Sequence, residues 1–167
     1  YTAQPELLPD GVQGDKVFPY YIVHGLPTGL TGLVIASLFA ALTFVGTYFI
    51  SVTLPFGYFN FGDCFVLLGA WCVGGAFGAA AAAIGAGLAD LMLGFGIYAP
   101  ATIIIKAAMA FIAYAMLKVL SKKGKKFTYL GFIVGAILAE LIMVGGYYLF
   151  ESVLYGFVPS LASVPGN

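Results

Sequence analysis

The sequence predicts an all-α integral membrane protein with five legible helices. Composition is the first reason. The chain has 167 residues, of which 62% are hydrophobic and 8% charged, and its mean hydropathy is +1.03. Soluble domains carry about 25% charged residues, so this chain lacks the polar groups to cover a water-facing surface. The second reason is spacing: apolar runs of about 20 residues or more, the length of a bilayer-spanning helix, alternate with short turn-rich breaks. The third is charge placement. Lys118, Lys122, Lys123, Lys125 and Lys126 crowd one loop, while the formal net charge is zero. A neutral chain gives no electrostatic case for nucleic acid.

Residues 1–28 read as an atypical N-terminal extension. They hold four prolines and an acidic bias, with Glu6, Asp10 and Asp15 against Lys16. They lack the basic start and apolar core of a signal peptide. Residues 29–167 read as a single transmembrane helical domain.

The first span is expected over Gly29 to Leu54, ended by the turn-rich "PFGYFNFGD". Phe61 to Gly94 is too long for one comfortable span and short for two. "GGAFG", Gly74 to Gly78, is the expected reversal between two short helices. "GFGIYAP" breaks the chain again, and Pro100 suits a first helical turn, where its missing donor costs nothing. Ala101 to Leu120 is the fourth helix. "SKKGKKF" is a polar loop, and the fifth helix runs from Thr128 to about Leu149, extendable to Tyr155. The positive-inside rule places the lysine loop in the cytoplasm. Counting back, the first helix starts inside, and "TLPFGYFNFGD", "GFGIYAPAT" and the tail face outside. One tilted helix over 61–94 would instead put the N-terminus outside.

Small residues mark close helix packing. Ala79 to Ala83 is an alanine run among glycines, and in lipid such residues let van der Waals contact hold helices together. Gly32, Ala36 and Ala40 form a smooth stripe on the first helix, facing either a neighbour within the fold or a separate protein. Cys64 and Cys72 lie about 12 Å apart along one helix, too far for a disulfide, and read as small core residues. No metal-ligand cluster accompanies them.

Charged side chains inside a bilayer are costly and suggest a site. Asp63 begins the second helix, Asp90 lies near the outer end of the third, and Lys106 sits about 9 Å past Pro100 in the fourth. Glu140 is mid-span in the fifth and needs a partner, whereas Glu151 at its outer end reads as solvated. Glu140, Val144, Tyr147 and Glu151 share one face, and Thr102, Lys106 and Met109 share another. An outward-opening pocket lined by Asn60, Tyr98, Thr102, Lys106 and Tyr147 would suit a small polar or aromatic ligand. Three plainer readings stand beside it. Lys106 snorkels outward or bridges to Asp90. Asp63 serves the helix dipole. Tyr147 and Tyr148 belong to an interfacial belt. "KKGKKFT" lacks the spacing of a phosphate loop, His24 lies outside the spans, and no nucleophile–base–acid set is visible. Catalysis is not expected, nor is a cofactor or metal.

"ASLFAALTFVGTYF", "YFNFGD", "GAAAAAIGAGLADLMLGFGIYAPATIIIKAAMAF" and "ASVPGN", taken in order, resemble the substrate-binding S component of energy-coupling factor (ECF) transporters, over residues from about 30 to 167. The resemblance implies a compact six-helix bundle in a bacterial cell membrane with both termini inside. The sixth helix should follow Asn167, so five are visible here and the sixth is missing from this chain. It implies capture of a vitamin or precursor from outside and docking on a transmembrane T component that carries two ATP-binding cassette ATPases. The T-component contact of the family falls on Ala36 and Ala40. The outer pocket of the family falls on Asn60, Asp63, Asp90, Tyr98, Thr102, Lys106, Glu140, Tyr147 and Asn167. The GD and YAPAT pattern looks most like members assigned to hydroxymethylpyrimidine or pyridoxine, with riboflavin, pantothenate and queuosine precursors open. A stand-alone secondary transporter or channel is the competing reading; it predicts internal repeats, which the sequence does not show.

Overall fold

A computed structural model describes the backbone of residues 14–54 and 57–156. The chain divides into two units, residues 1–35 and 36–167. In the first, a 3-10 turn, Gly14–Lys16, leads into the short helix α1, Val17–His24. After the break at Gly25 to Pro27, the Thr31 hydroxyl donates to the Ile22 carbonyl at 2.9 Å. The next helix, α2 (Thr28–Phe49), runs on into the second unit.

The rest of the chain comprises a hairpin, β1 (Ser51–Leu54) and β2 (Gly57–Asn60), then α3 (Gly62–Cys72), α4 (Gly75–Met92), α5 (Ala99–Ser121) and α6 (Lys125–Tyr155). The described residues thus hold six α-helices, four of them long and apolar enough to cross a membrane: α2, α4, α5 and α6. At 1.5 Å per residue α3 is roughly 17 Å long, about half the hydrocarbon core.

The expected first span was too long. Its last residues leave the helix at Phe49 and pair as an antiparallel ladder, Ser51 with Asn60 through Leu54 with Gly57. Val52 and Thr53 are β-branched and Tyr58 and Phe59 aromatic, types that favour strands over helices. The reversal between α3 and α4 falls where expected but is tighter. Only Val73 and Gly74 lie between the helices, and Gly74 adopts φ 74°, a left-handed conformation that glycine takes without penalty. Ala76 to Gly78 already belong to α4. A Cβ on Gly78 would lie 2.9 Å from the Gly69 carbonyl oxygen, so α3 and α4 pack back to back through bare backbone.

α5 is the central helix of this unit and packs on α3, α4 and α6. Its buried residues Thr102, Ile105, Lys106, Met109, Ala110 and Ala113 recur at helical spacing and form one inward stripe. Met109, Ala110 and Ala113 join Val66, Ala70, Ala82 and Ala139 in the core. The outward residues are large and apolar, such as Ile104, Phe111, Leu141 and Val153, as expected for a lipid-facing surface. Cys64 and Cys72 also lie on the exposed side of α3 and are unbridged; they are not core residues.

Candidate ligand-binding site

The end of α2, the start of α3, the end of α4, the start of α5 and the end of α6 meet at one end of the bundle. They enclose a cavity of about 290 Å³. The lysine loop between α5 and α6 lies at the opposite end of those two helices.

Lys106 stands in the wall of this cavity, one turn beyond Thr102 on the buried stripe of α5. It is 3% exposed, which rules out snorkelling, and its ammonium is paired with Asp63 rather than Asp90. Asp63 sits in the first turn of α3, where the helix dipole also favours a carboxylate. The plain reading of Asp63 as a helix-dipole charge therefore holds together with its place on the cavity wall. Lys106 Nζ also donates to Met143 Sδ at 3.2 Å. An ammonium has three N–H groups, so one is left without a protein acceptor among the described residues.

Asn60 ends β2, and its side-chain oxygen accepts from the Gly62 N–H at 2.8 Å. This local bond fixes the entry to α3 and so the position of Asp63. The Thr102 hydroxyl and the Tyr147 phenol share a hydrogen bond of 2.9 Å between α5 and α6. Tyr98 packs on Phe150 with ring centroids 5.5 Å apart, and its hydroxyl donates to Tyr155 at 3.4 Å.

Of the predicted residues, Asn60, Asp63, Asp90, Tyr98, Thr102, Lys106 and Tyr147 line the cavity. Glu140 does not; it is half-buried on α6, within electrostatic reach of Lys106 and Asp63. Asn167 lies outside the described residues. Glu151, expected in solvent, is 8% exposed and lines the cavity. The reason is the start of α5: Tyr98 lies against Phe150 and Tyr155 on either side of it. Thr47, Ala86, Leu93, Phe95 and Met143 also form the wall without having been singled out. Met143, Tyr147 and Glu151 recur every fourth residue, a signal that the sequence offered.

Residues 29–167 match the family described as the ECF-type riboflavin transporter, S component. The chain belongs to that family. It is therefore a membrane protein of a transport system, and its family is a transporter component rather than an enzyme. An uncharacterized protein in gap 3'region of Pyrococcus woesei is 32% identical over 114 residues, covering 67% of this chain and 72% of that protein. The sodium/sialic acid symporter NanT of Aliivibrio fischeri is 44% identical over 41 residues, covering 25% of this chain and 8% of the symporter. The S component thus spans a small part of that relative. No solved structure matches.

The small-residue stripe has contacts within this S component. Ala36 is 5% exposed, and a Cβ on Gly85 of α4 would overlap the Ala40 carbonyl oxygen. Between the two readings of the stripe, the structure supplies contacts for an internal neighbour.

Proposed function

We propose that this S component is the substrate-binding subunit of an ATP-driven importer in a bacterial cell membrane. It captures a water-soluble vitamin or precursor from outside and passes it on through a T component with two ATPases. The cavity carries this reading. It gathers several polar side chains on an otherwise apolar wall, and it lies opposite the lysine loop, which the positive-inside rule assigns to the cytoplasm. It therefore opens outward. The pattern of polar groups suits a ligand with hydrogen-bonding atoms around a ring: Lys106 offers a donor, Asp90 and Glu151 offer acceptors, and Phe95, Tyr98 and Tyr147 offer aromatic surface.

The size of the cavity bears on the ligand. Small-molecule pockets run from about 300 to 1,000 Å³, so this one lies at the small end. That favours a single-ring compound such as hydroxymethylpyrimidine or pyridoxine over the three-ring flavin of the family description. The stand-alone secondary transporter has one observation on its side, the short likeness to a symporter, and that likeness covers 8% of the symporter.

Mass spectrometry of small molecules released from detergent-purified protein tests the proposal. One stoichiometric single-ring vitamin or precursor is expected. Riboflavin in its place would overturn the single-ring reading and keep the binding role. Ion-gradient-driven uptake by the purified chain alone would replace the subunit reading with the secondary transporter.

A further inference from the structure

Five of the seven lysines of the chain gather where α5 turns into α6. Lys118 lies in the last turn of α5; Lys122 and Lys123 make the turn, and Lys125 and Lys126 open α6. All five are exposed. Within residues 36–167 the acidic residues are Asp63, Asp90, Glu140 and Glu151. Asp63, Asp90 and Glu151 line the cavity at the opposite end, and Glu140 is roughly 22 Å along α6 from Lys125. None of the five lysines forms an ion pair among the described residues. The turn between α3 and α4, which lies against Tyr114 at this end, is Val73 and Gly74 and carries no charge. The positive-inside rule uses these lysines to orient the chain. It does not say what they touch.

A second observation concerns the helix faces below them. On α5, Ile104, Phe111 and Lys118 recur every seventh residue; on α6, Lys126, Ile133 and Ile137 are spaced by seven and four. Each lysine therefore heads one face of its helix. Ile104, Phe111, Ile133 and Ile137 are all exposed, so in a bilayer both faces meet acyl chains. From Lys126 to Ile137 the strip is about 16 Å long, and from Lys118 to Ile104 about 21 Å. One leaflet contributes about 15 Å of hydrocarbon. A cation above an apolar strip of leaflet length matches a phospholipid, with its phosphate at the interface and its chain beneath. A free phosphate would use the lysines alone and leave the strips without a role. Lys118 also stands over the Tyr114 ring, 5.5 Å from its centroid, a cation–π contact that holds the ammonium beside the helix.

We propose that the turn between α5 and α6 is a binding site for anionic phospholipid. The lysines hold the headgroup phosphate, and the exposed strips of α5 and α6 take the acyl chains. Charge complementarity favours this occupant, because lysines beside the membrane are drawn to an anionic leaflet and no carboxylate of this unit competes for them. Bound lipid would fix the depth at which this end of the unit sits in the membrane. The proposal is independent of the ligand in the cavity and of the binding-subunit reading.

Native mass spectrometry tests it on the full chain. The protein is ejected from nanodiscs of equal phosphatidylglycerol and phosphatidylcholine, and the lipids that stay bound are counted. Retained phosphatidylglycerol is expected to exceed phosphatidylcholine at least about fivefold, the effect of a single lysine at an anionic surface. In the Lys122→Gln, Lys123→Gln, Lys125→Gln, Lys126→Gln variant the ratio should fall toward one. The wild-type ratio stands even where that variant folds poorly. Inorganic phosphate added to the mixed nanodiscs at fixed ionic strength should leave the ratio unchanged; a ratio that falls toward one gives the site to a free anion and overturns the lipid proposal. Equal retention of the two lipids by the wild-type chain overturns it, as does a preference that a folded variant keeps. Equal retention together with loss of a co-purifying T component from the variant would assign the lysines to that partner instead.

Discussion

Lys106 reaches Asp63 from α5 to α3, and little solvent reaches either side chain, 3% and 14% exposed. Two charges out of water repay their desolvation only with good geometry, and removing one partner leaves the other buried and uncompensated. Asp63→Ala should therefore lower stability by about 3–5 kcal/mol. Adding Lys106→Met should restore much of that loss, because the orphan ammonium is gone. Thermal melting of the single and double variants in detergent measures the coupling, and additive losses would mean that the pair is not linked. That Lys106 shares a helical stripe with Thr102 and Met109 was legible, but whether it is buried or snorkels outward was left open until the structure showed it 3% exposed. Its partner was not. Asp63 and Asp90 lie at the same end of the bundle, and which of them faces α5 depends on helix rotation, which spacing along one chain does not encode. Glu151 shows the same limit. A carboxylate at a helix end reads as solvated until the Tyr98 ring from another element is found beside it.

At the scale of elements, α2 and α4 meet through bare backbone at Gly85. A Cβ on Gly85 would overlap the Ala40 carbonyl oxygen and meet Thr43 Cβ at 2.8 Å. The helices approach this closely only because Gly85 carries no side chain, so Gly85→Leu must push them apart. Overpacking of this kind costs about 1–3 kcal/mol, and a lowered melting temperature is expected for the isolated chain. Ala36→Leu separates the two roles of the small-residue stripe. With Ala36 buried against its own fold, the isolated chain should melt earlier by a similar margin. An unchanged melting temperature with loss of a co-purifying T component would instead assign Ala36 and Ala40 to docking. The alanine and glycine content of α4 announced close packing; its partner did not follow from composition. Element boundaries were legible wherever glycine or proline punctuates the chain, at Gly74, Pro100 and Gly124. The boundary at Phe49 was missed because Ser51 to Leu54 continue the apolar run without a breaker, and strand propensity rather than hydropathy decides them.

At the largest scale, the unit of residues 36–167 has two unlike ends. One carries the lysine loop; the other carries the cavity with its three carboxylates and one lysine. Capture from outside requires the cavity end to face outward, and the positive-inside rule gives that orientation from the lysines alone. Cysteine labelling in intact cells tests it directly. With Cys64→Ser and Cys72→Ser as background, Lys123→Cys places a thiol in the lysine loop, and Gly96→Cys places one between α4 and α5, where Gly96 is exposed. A membrane-impermeant maleimide should label the Gly96→Cys chain in whole cells, and the Lys123→Cys chain only after lysis. The opposite pattern would turn the cavity to the cytoplasm. An importer could not then capture its ligand there, and the fold would suit release of a bound molecule or sensing of an internal one. The orientation decides between these because nothing in the cavity chemistry itself has a side; only the lysines at the far end of the bundle do.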